Sequence, residues 1–167
     1  GRTGAGKSSL CNKITGEEFF QVGHRLVSET NSVTSKICTW PLNPSLKVRV
    51  VDTPGFADNR PEMTNEVLLS RILGFLKDMK DGLHIAICCL PAKPRIDQYD
   101  TQELEMLRLL LGSAFFDHVC IAVTHVDTLV EGQRNTICQN FKADLPRILL
   151  ENCLLFITED RILFSDF

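Results

Sequence analysis

The chain has 167 residues, 44% of them hydrophobic and 23% charged, with a formal net charge of −3. That length suits one domain with a sizeable core, and the weak negative charge excludes a strongly basic nucleic-acid surface or a polybasic membrane patch. The seven cysteines form no CxxC pair or Cys/His ligand spacing, and neither a signal peptide nor a membrane-length apolar run is evident, so a reduced, cytoplasmic protein is expected.

In chain order, Gly1 to Ser8 reads G-R-T-G-A-G-K-S, the spacing of a phosphate-binding loop. Its small residues let the backbone of Gly1, Arg2, Thr3, Gly4, Ala5 and Gly6 wrap so that successive N–H groups point at one phosphate chain. Lys7 is then placed to reach the β- and γ-phosphates, and the Ser8 hydroxyl to ligate Mg²⁺. Ser8 and Ser9 open a helix whose positive N-terminal end faces the phosphates, with Gly16 as its stop. Such a loop is expected to follow a buried strand, whereas the sequence begins on the loop itself. It therefore reads as a piece of a longer chain that lacks the first, central strand.

Residues 17–36 are polar and poorly periodic and read as a mobile loop, followed by an edge strand at 36–41. K-V-R-V-V (47–51) is a β-branched strand ending at Asp52. In the D-T-P-G that follows, Asp52 can hold Mg²⁺ through a water and the Gly55 N–H can face a γ-phosphate, although Pro-Gly alone also suits an ordinary turn. A helix is expected from about Pro61 to Lys80, with Val67, Leu68, Ile72, Phe75, Leu76 and Met79 at helical spacing. H-I-A-I-C-C-L (84–90) and H-V-C-I-A-V-T (118–124) read as strands covered on both faces. Between them, 98–111 is helical, with Leu104, Leu107, Leu110 and Leu111 on the apolar side. A helix fits 133–151, strained by Pro146. Of the last apolar runs, 154–157 and 162–164, the second suits a final strand better. The alternation predicts a mostly parallel sheet with helices on both faces and ligand loops at the C-terminal strand ends.

Two further features complete a constellation. T-H-V-D (124–127) follows a strand; Asp127 there can accept two hydrogen bonds from the guanine ring N–H and exocyclic amine, a donor pair adenine lacks, with Thr124 and His125 beside it. A helix-capping Asp is the plainer reading. In the loop after the first helix, Thr34 can close over Mg²⁺ and the γ-phosphate; Thr30 is its rival. The order phosphate loop, threonine, D-T-P-G, T-H-V-D reads as a GTPase domain over residues 1–167.

On these motifs, together with C-N-K-I-T-G, S-V-T-S-K-I-C (32–38), V-V-D-T-P-G-F-A-D (50–58), D-G-L-H-I-A-I-C-C-L and R-I-D-Q-Y-D-T-Q-E-L (95–104), the chain resembles the immunity-associated GIMAP/IAN GTPases. These are related to the chloroplast-import Toc GTPases. The resemblance implies an α/β P-loop GTPase fold in three layers, without the first strand and closing helix. It also implies GTP or GDP with Mg²⁺ as ligands, Thr34 rather than Thr30 as the Mg²⁺-sensing threonine, and a non-lysine second residue in the guanine motif. S-D-F (165–167) stands where the last guanine-contact loop belongs. Membrane association would come only from segments outside this stretch.

Many small GTPases place a water-orienting Gln directly after the D-x-x-G glycine; here that residue is Phe56, which cannot polarise water. Slow hydrolysis is therefore expected. By resemblance, Arg95 is the residue that reaches across a homo- or heterodimer, formed through the nucleotide faces, to the partner's phosphates. Such a finger is worth about 10³–10⁵ in rate. Otherwise Arg95 is a solvated residue beside Asp97, and the domain is a GTP-gated scaffold with negligible hydrolysis.

Overall fold

A computed structural model describes residues 1–22, 32–41, 43–56, 64–80, 82–112, 118–151 and 162–164. It divides into two compact units, Arg2–Asp78 and Met79–Asp166.

In the first unit, α1 (Lys7–Thr15) starts directly on the glycine-rich loop and ends at Gly16, whose N–H bonds the Asn12 carbonyl at 2.9 Å. Asn12 also fixes the turn that follows. Its side-chain oxygen accepts from the Phe19 and Phe20 N–H groups at 3.1 and 2.7 Å, and its amide donates to the Phe20 carbonyl at 2.8 Å. This seats Phe20 in a small core with Cys11 and Val50.

Strands β1 (Thr34–Trp40) and β2 (Asn43–Asp52) form an antiparallel pair in which Thr34 lies opposite Asp52. Both strands are longer than expected from the sequence. Thr34 is the first residue of β1 rather than part of the preceding loop, because pairing with Asp52 and Val51 extends the strand into polar residues that carry no alternation of their own. Residues 23–31, including Thr30, lie outside the described residues. Helix α2 (Asn65–Lys77) is capped by Thr64, whose hydroxyl accepts the Val67 N–H at 3.4 Å, and buries Leu68 and Ile72. Its expected beginning at Pro61 lies outside the described residues.

The second unit is a parallel sheet of β3 (Ala86–Pro91), β4 (Val119–Thr124) and β5 (Ile162–Phe164), in that order. Helix α3 (Gln98–Leu111) has the bounds the sequence suggests, and α4 (Glu131–Glu151) runs on through Pro146. The core here is Cys88, Leu90, Leu104, Val119, Ile121, Val123, Val126, Ile137 and Phe141. Continuous apolar strands, covered by leucines at helical spacing, account for it. The run at 154–157 and the S-D-F at 165–167 lie outside the described residues. No helix among the described residues is long and apolar enough to cross a membrane.

Candidate functional site

The phosphate-loop motif of the first unit forms a closed curl. Gly4 and Gly6 take φ of 78° and 76°, left-handed values that a side chain would strain. The Arg2 carbonyl accepts both the Ala5 N–H at 3.1 Å and the Lys7 ammonium at 2.8 Å. Lys7, Ser8 and Ser9 then form the first turn of α1, the positive end of the helix dipole, which suits an anion.

The D-T-P-G segment packs against this curl. The Ser8 hydroxyl donates to Asp52 Oδ2 at 2.7 Å. Asp52 is 2% exposed, and its Oδ1 is buried with no hydrogen-bond partner. Burial pushes its carboxyl above the ordinary range, against the Ser8 hydrogen bond, the Lys7 charge and the Thr53 N–H, all of which favour the carboxylate. Gly55 lies so close to the loop that a β-carbon on it would fall 2.3 Å from the Thr3 nitrogen and 2.7 Å from Thr3 Cα. Phe56, 5% exposed, pairs its backbone with Arg2 in a parallel bridge. Its side chain is thus a buried apolar group and offers no polar atom to a ligand.

The donor set suits Mg²⁺: a hydroxyl, a buried carboxylate oxygen without a partner, and the threonine opposite it across the strand pair are all hard oxygen ligands. The structure thus brings Ser8 and Asp52 into contact and sets Thr34 across from Asp52. Thr34 is exposed.

The T-H-V-D segment belongs to the second unit. Thr124 ends β4 fully buried, its hydroxyl directed to the Leu90 carbonyl at 3.4 Å and its own carbonyl accepting the Ala92 N–H at 2.8 Å. His125 turns the chain with φ 58°, an uncommon value for a non-glycine residue. Its carbonyl accepts the Thr128 hydroxyl at 2.7 Å and N–H at 3.2 Å. The short 3-10 turn Val126–Thr128 that results buries Val126 and leaves Asp127 exposed.

Arg95 is exposed on the short segment between β3 and α3. A braced cluster that sequence reasoning missed is formed by residues on either side of it in the chain. Asp97 caps α3, accepting from the Tyr99 and Asp100 N–H groups at 2.9 and 3.1 Å, and Asp100 accepts the Asp97 N–H in return at 3.0 Å. Lys93 bonds Asp97 at 2.7 Å and the fully buried Asp100 at 2.5 Å. The signal was present as D-x-x-D before an apolar run, an acidic form of the capping box. Burial opposes ionisation of Asp97, but Lys93 and the two N–H groups outweigh it and hold the carboxyl below the ordinary value. Nearby in the second unit, burial pushes the Cys88 thiol up to about 11.

The model of the AIG1 family matches residues 1–164. Among curated relatives, immune-associated nucleotide-binding protein 4 of Arabidopsis thaliana is 29% identical over 166 residues, 99% of this chain but 49% of that protein. The chain thus spans about half the length of the curated relatives it matches. Among solved structures, a dimerization-deficient arginine-to-alanine mutant of Toc33 from Arabidopsis thaliana superimposes with a TM-score of 0.78 at 18% identity, over 99% of this chain and 68% of that one. Toc33 in complex with GDP and Mg²⁺ gives 0.74 at 16%, over 99% and 67%. At these identities the structural likeness establishes the P-loop GTPase fold.

Proposed function

The chain belongs to the AIG1 family, and on that footing we propose that residues 1–167 form one G domain that binds Mg²⁺–GTP and hydrolyses it slowly, faster when two domains meet through their nucleotide faces. The observation that carries the reading is the Ser8–Asp52 contact of 2.7 Å beside Lys7 at the mouth of the glycine-rich curl. A strand-end carboxylate held on the hydroxyl that follows the loop lysine is the arrangement a magnesium-bound nucleoside triphosphate requires.

Each residue then has a defined part. The N–H groups of loop and helix start cradle the phosphates, and Lys7 exchanges the Arg2 carbonyl for the β- and γ-phosphate oxygens. Ser8, Asp52 and Thr34 are the oxygens that would hold Mg²⁺, which when bound neutralises charge on the transferring phosphoryl group. The Gly55 N–H faces the terminal phosphate. Asp127 accepts from the guanine edge, with Thr124 and the turned His125 fixing the corner that carries it.

Phe56 supplies nothing to an attacking water, so the isolated domain is slow. Arg95, exposed on a braced segment, is the residue we assign to complete a partner's site in trans. An arginine-to-alanine change impairs dimerization in Toc33, which supports this assignment by analogy. The second reading is a GTP-gated assembly module with negligible hydrolysis, and the buried Phe56 favours it.

Single-turnover hydrolysis of GTP, measured against the concentration of the full-length protein, separates the two. A rate per molecule that climbs with concentration and falls at least tenfold in Arg95→Ala is expected of a finger acting in trans. A concentration-independent rate indifferent to Arg95→Ala favours the assembly module.

A further inference from the structure

The phosphate loop holds a polar group that the assignments above leave unused. Thr3 Oγ1 is buried and has no hydrogen-bond partner. A hydroxyl in that condition is destabilising, and native structures seldom keep one without a use. In the same unit, the other buried side-chain atom without a hydrogen-bond partner among the described residues is Asp52 Oδ1, which the magnesium assignment explains.

The position of Thr3 identifies what would satisfy it. Its backbone lies directly against Gly55, too close for a β-carbon. Gly55 is the residue whose N–H the proposed function assigns to the last phosphate, and that assignment puts the Thr3 backbone at the γ end of the cradle. The loop's N–H groups serve chiefly the inner phosphates. Phe56, the next side chain along, is apolar and buried. A hydroxyl both donates and accepts, and as a donor it suits a phosphate oxygen. On that assignment a triphosphate reaches this position and a diphosphate ends before it.

We propose that the Thr3 hydroxyl hydrogen-bonds the terminal phosphate and is the side chain by which this domain distinguishes a nucleoside triphosphate from a diphosphate. This rests on the reading of residues 1–8 as a nucleotide-binding loop. It assigns Thr3 a specificity-determining role distinct from that of the loop backbone.

The test is calorimetric titration of the full-length protein, in Mg²⁺, with GDP and with a non-hydrolysable GTP analogue. Thr3→Val keeps the branched shape without the hydroxyl, Thr3→Ala removes both, and Thr3→Ser keeps the hydroxyl. Affinity for the triphosphate analogue should fall about tenfold in Thr3→Val and Thr3→Ala, with GDP affinity changed by less than about twofold. Thr3→Ser should retain the parent's preference. Equal loss for both ligands in Thr3→Val and Thr3→Ala, or no loss in either, overturns the role given to Thr3 while leaving the nucleotide site standing. Failure of the parent protein to bind either ligand overturns the nucleotide-binding reading itself, and this proposal with it.

Discussion

Single atoms decide much at the site. At Gly55 the limit is steric, because the Thr3 nitrogen stands 2.3 Å from where a β-carbon would sit, and backbone cannot move aside as a flexible side chain can. Gly55→Ala should destabilise the fold by about 1–3 kcal/mol, read from denaturant melts; an unchanged midpoint would show that the contact yields freely. At Cys88 the limit is electrostatic. A thiol with no exposure and a pKa of about 11 has almost no thiolate near neutrality. Alkylation of the native protein at pH 8 should therefore spare Cys88 while reaching it after denaturation. Rapid native labelling at Cys88 would contradict its burial.

Helix α3 shows how local chemistry and one buried ion pair share the work at the level of an element. Lys93 is the cation beside Asp100, a carboxylate with no exposure. Lys93→Ala should cost about 3 kcal/mol, since it strands a buried charge; a loss of only a few tenths would place Asp100 in water. Asp97 is held below the ordinary value of 3.8, so its contribution is complete above that value and lost as the pH falls through the lower folded one. Asp97→Asn keeps the cap but removes the titration, and should flatten the acid limb of the stability curve below about pH 4. An acid limb identical to the parent's would rule Asp97 out as its source.

The bounds of α3 were legible because capping box and leucine spacing both lie within the helix. Those of β1 and β2 were not. Their polar ends are strand only because each faces the other, with Thr34 opposite Asp52. The site divides in the same way. The roles proposed for Lys7, Ser8, Asp52 and Asp127 rest on spacing, since their motifs are local. The burial of Thr3, the pairing of Arg2 with Phe56 and the placement of Asp100 under Lys93 depend on contacts that no local pattern encodes.

At the scale of the whole molecule, the candidate phosphate and metal residues belong to the unit Arg2–Asp78, and the candidate base-reading corner and Arg95 to the unit Met79–Asp166. On the proposed function, guanine-nucleotide binding requires both sets of residues: Ser8 and Asp52 for phosphate and metal, Asp127 for the base. Calorimetric titration of the full-length protein with GTP and ATP, each with Mg²⁺ and with the metal chelated, and repeated on Asp127→Ala, tests that requirement most directly. GTP should bind at least about 100-fold more tightly than ATP, weaken without Mg²⁺, and lose its advantage in Asp127→Ala. Equal affinity for ATP and GTP, indifferent to Asp127→Ala and to the metal, would contradict the account.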